Sequence, residues 1–359
     1  MNASIEQLAR ELGSLYRRYG YISYSMSKFE EYELYLRNKD FLISDRVLTF
    51  TDTDGKLMAL KPDVTLSIIK NTRDTAGVQK LYYRENVYRP GSADQGFREI
   101  MQVGLECMGN IDSYNVLEVL LLAVKSLQSV SESCMLDISH MGLLSGLLAK
   151  SGVTEGLRSQ VLTAIGSKNS HEIQSLCEIC GADSTHLVRL AKLSGKCAVV
   201  MPQLEEIFAD APEFVQFKAM IEALEQTEAG RYINIDFSVV NDMRYYNGIA
   251  FRGFVEGVPD GVLAGGQYDA LMQKMNRKAK AIGFALYPDL LERMAIQQEE
   301  AGADTALLYD KDTTLSAIAK AVEEMTQQGM AVNALPADSD TRNYRKIYKL
   351  AGKKVQELG

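Results

Sequence analysis

Residues 80–109, KLYYRENVYRPGSADQGFREIMQVGLECMG, have the pattern of a strand, a loop and a return strand. Apolar side chains alternate before the loop, and a proline and glycines mark the loop itself. After the loop, Gln102 and Glu106 fall on the same face of the return strand. A buried glutamine and glutamate need partners, so this face has the pattern of a polar floor in a ligand cleft. A hairpin whose polar face is solvated explains the same alternation, and spacing alone favours that simpler structure.

The composition narrows the class of protein. The chain has 359 residues, of which 46% are hydrophobic and 24% charged, as in a globular protein of one large domain or two to three smaller ones. Its formal net charge of −8 argues against binding along a phosphate backbone. We find no apolar run long enough for a transmembrane helix, and the N-terminal stretch lacks a signal-peptide core. With five cysteines in no framework spacing, we expect a reduced, cytoplasmic protein.

Cys177 and Cys180 form a Cys-x-x-Cys pair, with His171 and His186 close in the sequence. This could begin a metal site. However, no second cysteine pair follows at zinc-ribbon spacing, and the segment has helical periodicity. We therefore predict ordinary thiols on a helix, with neither a metal nor another cofactor.

The order of predicted elements divides the chain into three regions. Residues 1–140 and 229–300 contain antiparallel strands with few helices and are predicted to form one core. Residues 141–228 repeat leucine and alanine at helical spacing, which predicts an all-helical insert of four to six helices. Residues 301–359 have the pattern of strand, helix, strand and helix, a small α/β unit. Runs of antiparallel strands with helices on one side predict an α+β fold.

Three polar stretches join the hairpin around the predicted sheet, and each alone is a weak signal. They are Lys61-Pro62-Asp63-Val64-Thr65, Met243-Arg244-Tyr245-Tyr246-Asn247-Gly248 and Ala264-Gly265-Gly266-Gln267-Tyr268-Asp269. Together, in this order around a helical insert, the stretches resemble the catalytic core of histidyl-tRNA synthetases, a class II aminoacyl-tRNA synthetase fold. The resemblance covers about residues 5–298. Its most specific pieces are GFREIMQVGLE, MRYYNGIAF, AGGQYDAL and AIGFAL.

The resemblance implies a pocket for free histidine. By position, Asp63 takes the α-ammonium group with help from Thr65, and Glu106 accepts a hydrogen bond from an imidazole N–H. Arg89 matches the class II arginine that faces the amino-acid carboxylate, and tyrosines form a wall along the ring. This chemistry suits a zwitterion with an aromatic side chain. The implied set is Asp63, Thr65, Arg89, Gln102, Glu106, Tyr245, Tyr246 and Tyr268.

The chain departs from the synthetases where they handle the nucleotide. Pro90 follows the loop arginine, where the family has Arg-x-Glu, and the second loop arginine falls on Gly96. The catalytic arginine falls on Asn241, and the arginine of the third motif is either displaced to Arg293 or lost. Losing one donor that stabilises a transition-state charge costs on the order of 10²–10³ in rate. The departures therefore imply a histidine binder with no catalytic residues for adenylation.

This combination resembles a relative of the synthetases, the regulatory subunit of ATP phosphoribosyltransferase. That family implies histidine feedback on the first step of histidine biosynthesis, a homodimer through the class II interface, and a hetero-octamer with a short catalytic subunit. It implies no tRNA, and residues 301–359 are too few for a complete anticodon-binding domain. The alternative is an active histidyl-tRNA synthetase or another aminoacyl-transferring paralogue. Charged residues in place of Pro90, Gly96 and Asn241 would have favoured this aminoacylating alternative.

Overall fold

The computed structural model describes residues 2–42, 46–75, 77–91, 96–240, 245–291, 303–341, 344–351 and 354–358. The chain divides into two compact units, residues 1–291 and 292–359. In the larger unit the strands are β1 (Ile22–Ser23), β2 (Phe29–Glu31), β3 (Thr49–Thr51), β4 (Leu57–Leu60), β5 (Val78–Pro90), β6 (Phe97–Gly109), β7 (Cys134–His140), β8 (Ser194–Gly195), β9 (Ile233–Asp236), β10 (Ile249–Val255), β11 (Leu263–Gln267) and β12 (Lys280–Leu286).

Eleven helices of the larger unit lie within its described residues. They are α1 (Asn2–Arg18), α2 (Tyr32–Arg37), α3 (Val64–Asn71), α4 (Ser113–Gln128), α5 (Met141–Lys150), α6 (Glu155–Gly166), α7 (Ser170–Cys180), α8 (Thr185–Lys192), α9 (Cys197–Phe208), α10 (Pro212–Glu225) and α11 (Asp269–Lys274). Short 3₁₀ helices cover Lys39–Phe41 and Glu228–Tyr232. No described helix is long and apolar enough to cross a membrane.

Nine strands of this unit form one sheet in the order β1-β5-β6-β12-β11-β10-β7-β9-β8. The pairs β1–β5 and β7–β9 are parallel, and the other neighbours are antiparallel. Strands β2, β4 and β3 form a separate small sheet. The predicted α+β class is therefore confirmed, with a mainly antiparallel sheet at its centre.

Much of the hairpin of β5 and β6 is covered on both faces of this sheet. Leu105 and Cys107 of β6 pack into the core that also contains α1 and α4. Met108 packs on the opposite face, with residues of α3 and α11. Gln102 and Glu106 share that second face and are only 3% and 2% exposed. The simpler interpretation, a hairpin with a solvated polar face, is therefore wrong.

Residues 141–228 contain the six helices α5 to α10, and their leucines extend the first core. Leu144, Leu187 and Leu204 are fully buried there. Helix α7 ends at Gly181, whose φ of 67° is in the left-handed region that glycine adopts without strain. The two-residue strand β8 follows α8 and returns the chain to the edge of the large sheet.

The described residues of the smaller unit form four strands and one helix. Strands β13 (Thr305–Tyr309) and β14 (Val332–Pro336) pair in parallel, and α12 (Leu315–Gln327) connects them. The helix that was predicted at the end of residues 301–359 is wrong. In its place, β15 (Lys346–Ala351) and β16 (Lys354–Glu357) form an antiparallel pair. Tyr348 and Leu350, two residues apart, both pack into this unit's core, which a strand permits and a helix does not.

Candidate functional site

A cavity of about 430 Å³ opens on the face of the large sheet that carries Gln102 and Glu106. Strands β5, β6 and β12 contribute to its floor, and the N-terminal end of α3 contributes to its wall. All eight side chains that the resemblance implied lie around this one cavity. They are Asp63, Thr65, Arg89, Gln102, Glu106, Tyr245, Tyr246 and Tyr268.

Glu106 is a deeply buried carboxyl group in this cavity. Thr65 Oγ1 donates a hydrogen bond of 2.7 Å to its Oε1, and Tyr268 donates one of 2.6 Å to its Oε2. A Cβ at Gly283 of β12 would lie 1.8 Å from Oε2, so only glycine leaves room for the carboxylate. Burial raises the pKa of Glu106 to about 8, although the two hydrogen bonds act in the opposite direction. The two donors fix the positions of both carboxyl oxygens, and these oxygens have further lone pairs that can accept a donor from a ligand.

Asp63 and Arg89 form a second polar corner. Asp63 is the N-cap of α3, where its Oδ1 accepts a hydrogen bond of 2.9 Å from the Leu66 N–H. An Arg89 guanidinium nitrogen lies 3.8 Å from Asp63 Oδ2, and Arg89 Nε donates to the Pro62 carbonyl at 2.8 Å. Burial raises the pKa of Asp63, and the charge of Arg89 lowers it. A cation beside a carboxylate is the complement of an amino acid's two charged groups.

Aromatic rings enclose the cavity on a third side. The rings of Tyr245 and Tyr246 lie 4.9 Å apart at 64°, and those of Tyr245 and Tyr268 lie 6.0 Å apart. Phe41 packs edge-on against Tyr245, with 6.3 Å between ring centroids. Such tilted arrangements are favourable for aromatic pairs. The rings form a wall against which a flat heteroaromatic group can pack.

Two of the positions at which the sequence departs from the synthetases, Pro90 and Gly96, lie among the residues that the structure describes. Pro90 ends β5, and Gly96 precedes β6 with a φ of 64°. Neither residue supplies a charged side chain to the cavity. Asn241 and Arg293 lie outside the described residues.

Sequence reasoning did not predict several other residues that line the cavity, among them Phe41, Tyr83, Arg252 and Tyr287. Arg252 of β10 lies in register with Ala264, and Ala264 lies in register with Ala285. The Arg252 guanidinium lies 5.5 Å from the ring centroid of Phe254. Strand alternation could have placed Tyr83 and Arg252 on a face of the sheet, but the order β6-β12-β11-β10 was needed to bring Arg252 to the cavity.

The cysteine pair lies far along the chain, in α7. Cys177 is buried, and the Cys180 thiol contacts the carbonyl of Leu176 at 3.5 Å. Across the described part of the chain, no group of three or more His, Cys, Asp and Glu side chains could hold a metal ion.

Comparisons with known proteins give a consistent result. The family model described as histidyl-tRNA synthetase matches residues 2–291. A protein named ATP phosphoribosyltransferase regulatory subunit from Acetivibrio thermocellus is 24% identical, over 97% of this chain and 87% of its own length. A solved structure titled ATP phosphoribosyltransferase regulatory subunit/histidyl-tRNA synthetase, from Bacillus halodurans, has a TM-score of 0.71 at 22% identity. The match covers 96% of this chain and 93% of the Bacillus halodurans chain.

A further solved structure, titled as an ATP phosphoribosyl transferase complex from Thermotoga maritima, contains a chain with the same fold. Its TM-score is 0.63 at 20% identity, and the match covers 78% of this chain and 96% of that one. These likenesses confirm the fold predicted from the sequence, a class II synthetase-like sheet flanked by helices.

Proposed function

Because this chain belongs to the histidyl-tRNA synthetase family, we propose that it binds free L-histidine and acts as a non-catalytic regulatory subunit of an ATP phosphoribosyltransferase. The observation that carries the binding proposal is the buried carboxyl of Glu106, held by Thr65 and Tyr268 at the floor of the cavity. An imidazole N–H is a donor of the right kind for this group.

The other end of histidine fits the second polar corner. Its α-ammonium group pairs with Asp63 and its carboxylate with Arg89, while the tyrosine wall packs against the ring. Exchanging the 3.8 Å contact between Arg89 and Asp63 for contacts with the ligand keeps both charges paired. This matters because an unpaired charge in a buried site is strongly unfavourable.

The names of the relatives support the regulatory role and its partner. Relatives over nearly the whole chain are named ATP phosphoribosyltransferase regulatory subunits, and one solved relative is part of an ATP phosphoribosyl transferase complex. We propose that this chain forms a homodimer and joins a short catalytic subunit in a hetero-octamer, as the resemblance implies. Histidine then inhibits the complex by binding one assembly state more tightly than the other.

The test is to assay a short phosphoribosyltransferase catalytic subunit with and without this chain. Activity should rise on addition of the chain, and histidine should then inhibit the complex. Couplings of about 1–3 kcal/mol correspond to roughly 5–150-fold inhibition. Failure to activate, or activation without histidine sensitivity, would contradict the proposed role.

A pocket variant separates binding from assembly. Glu106→Ala removes the acceptor of the imidazole N–H, and histidine affinity should fall by roughly 1–3 kcal/mol in calorimetry. Glu99→Ala is the matched control, since Glu99 is an exposed carboxylate on the same strand. In the complex, Glu106→Ala should keep activation and need more histidine for inhibition. Equal loss of activation and inhibition would mean that the pocket is structural.

A further inference from the structure

Lys61 is an interior lysine that does not line the cavity. Its side chain is fully buried, and Nζ lies 2.8 Å from Glu85 Oε2. The Glu85 side chain is 14% exposed, and its other oxygen accepts a hydrogen bond of 3.1 Å from the Met26 N–H. Lysine is seldom buried so completely, and an interior ion pair is often no more stabilising than well-packed apolar residues. Stability alone therefore explains the pair poorly.

The pair lies directly behind the polar corner of the cavity. Lys61, Pro62 and Asp63 are consecutive, and each is tied to β5. The Lys61 carbonyl accepts from the Tyr88 N–H at 2.9 Å, the Pro62 carbonyl accepts from Arg89 Nε, and Asp63 faces the Arg89 guanidinium. The Lys61 ammonium adds a fourth tie, to a side chain four residues before Arg89 on the same strand.

Glu85 also lies directly opposite Gln102 in the pairing of β5 with β6. Opposite residues in an antiparallel pair have Cβ atoms about 4.5–5.5 Å apart. With Lys61 in place, the Glu85 carboxylate has a cation of its own. Without Lys61, its nearest cross-strand side-chain donor would be the amide of Gln102, which lines the cavity.

We propose that the Lys61–Glu85 ion pair positions the corner of the site that receives the charged end of the amino acid. Neither residue of the pair lines the cavity. The pair holds the Lys61–Asp63 segment against β5, so that Asp63 and Arg89 stay at the spacing of an ammonium and a carboxylate, and it leaves the Gln102 amide free for the ligand. This inference rests on the proposed binding of histidine, because it concerns how that same site is built.

The experiment compares affinities for L-histidine and for imidazole, which has a ring but no charged end. Lys61→Met should weaken L-histidine binding by tenfold or more and change imidazole binding by less than about twofold. Glu85→Gln keeps the size of the side chain and removes its charge. It should lower the ratio of L-histidine affinity to imidazole affinity, as Lys61→Met does. It also provides a second variant if Lys61→Met fails to fold.

Lys80→Met is the matched control. Lys80, also on β5, pairs with Glu118 of α4 at 2.6 Å, but neither of these two residues adjoins a residue that lines the cavity. This variant should lower stability and leave the ratio of the two affinities unchanged. If Lys61→Met or Glu85→Gln folds and likewise leaves the ratio unchanged, the pair is only structural and the inference is wrong. If the wild-type chain binds no L-histidine, the proposed function itself fails, which is a distinct result.

Discussion

Tyr268 donates a hydrogen bond of 2.6 Å to Glu106, a residue 162 positions earlier in the chain. Tyr268 follows β11 and Glu106 lies in β6, with β12 between the two strands. Gly283 of β12 has no side chain, so the carboxylate can lie across that strand. The floor of the cavity therefore forms only when three strands from distant parts of the sequence are paired.

Tyr268→Phe tests this contact directly. The variant keeps the ring and removes one of the two donors to Glu106, so the carboxyl is held less firmly for an imidazole N–H. We expect L-histidine affinity to fall by up to about tenfold, since an ordinary hydrogen bond contributes about 0.5–1.5 kcal/mol. Titration calorimetry gives the value, and Tyr114→Phe, at an exposed tyrosine, is the control. Unchanged affinity would mean that Tyr268 acts only through its ring.

Stability should depend on pH through Glu106. Burial raises its pKa from 4.5 to about 8 in the folded chain. A carboxyl whose folded pKa is raised contributes stability that is complete below the unfolded value and is lost as pH rises through the folded value. The free energy of unfolding of the wild type, relative to Glu106→Gln, should therefore fall by a few kcal/mol between about pH 4.5 and 8.

Urea denaturation of both proteins at several pH values measures this difference. Subtracting the Glu106→Gln curve removes contributions from titrating groups that do not interact with Glu106. The charge of Asp63 also raises the pKa of Glu106, so this interaction is part of the measured difference. A difference that stays flat from pH 4.5 to 8 would show that Glu106 remains ionised in the folded state.

Gly283→Ala should close the space that the Glu106 carboxylate occupies. The added Cβ would lie 1.8 Å from Oε2 and 2.5 Å from the Leu105 carbonyl, so both the side chain and the strand must shift. We expect a loss of about 1–3 kcal/mol of stability from overpacking and at least a tenfold loss of histidine affinity. Gly146→Ala is the control, because that helix position is open and alanine should stabilise it by about 0.5–1 kcal/mol. Normal histidine binding by Gly283→Ala would contradict the geometry.

The chain should not form histidyl-adenylate. Pro90 and Gly96 supply no charge to the nucleotide phosphates, and adenylyl transfer depends on such charge. Histidine-dependent exchange between ATP and pyrophosphate should stay at the background level of a Gln102→Ala control, which also reveals a contaminating host synthetase. Exchange at synthetase-like rates, abolished by that substitution, would instead favour the aminoacylating alternative.

Local sequence patterns predicted the strands and helices of the larger unit well, because their apolar spacing matches the period of the structure. The hairpin is an example. Alternation placed Gln102 and Glu106 on one face, but it did not show whether that face was buried. Burial depends on α3 and α11, which pack over this face from elsewhere in the chain. The resemblance, rather than the periodicity, brought the eight pocket residues together.

Other features depended on contacts that local patterns do not contain. Arg252 belongs to the cavity only through the order of β12, β11 and β10. The end of the smaller unit was predicted as a helix, since lysines and apolar residues there also fit a helical period. Pairing of β15 with β13 and β16 overrides that tendency and buries Leu350, which is 1% exposed.

The nine-stranded sheet ends in two-residue strands at both sides, β1 and β8. Long unpaired edges invite another chain to add a strand, which leads to aggregation. The outer side of β5 is thirteen residues long, and it is covered in pieces rather than by one partner. Tyr24 N–H donates to the Tyr82 carbonyl, and the Lys61 carbonyl accepts from Tyr88. The Lys61–Asp63 segment that builds the binding corner therefore also covers part of an edge that a neighbouring molecule could otherwise extend.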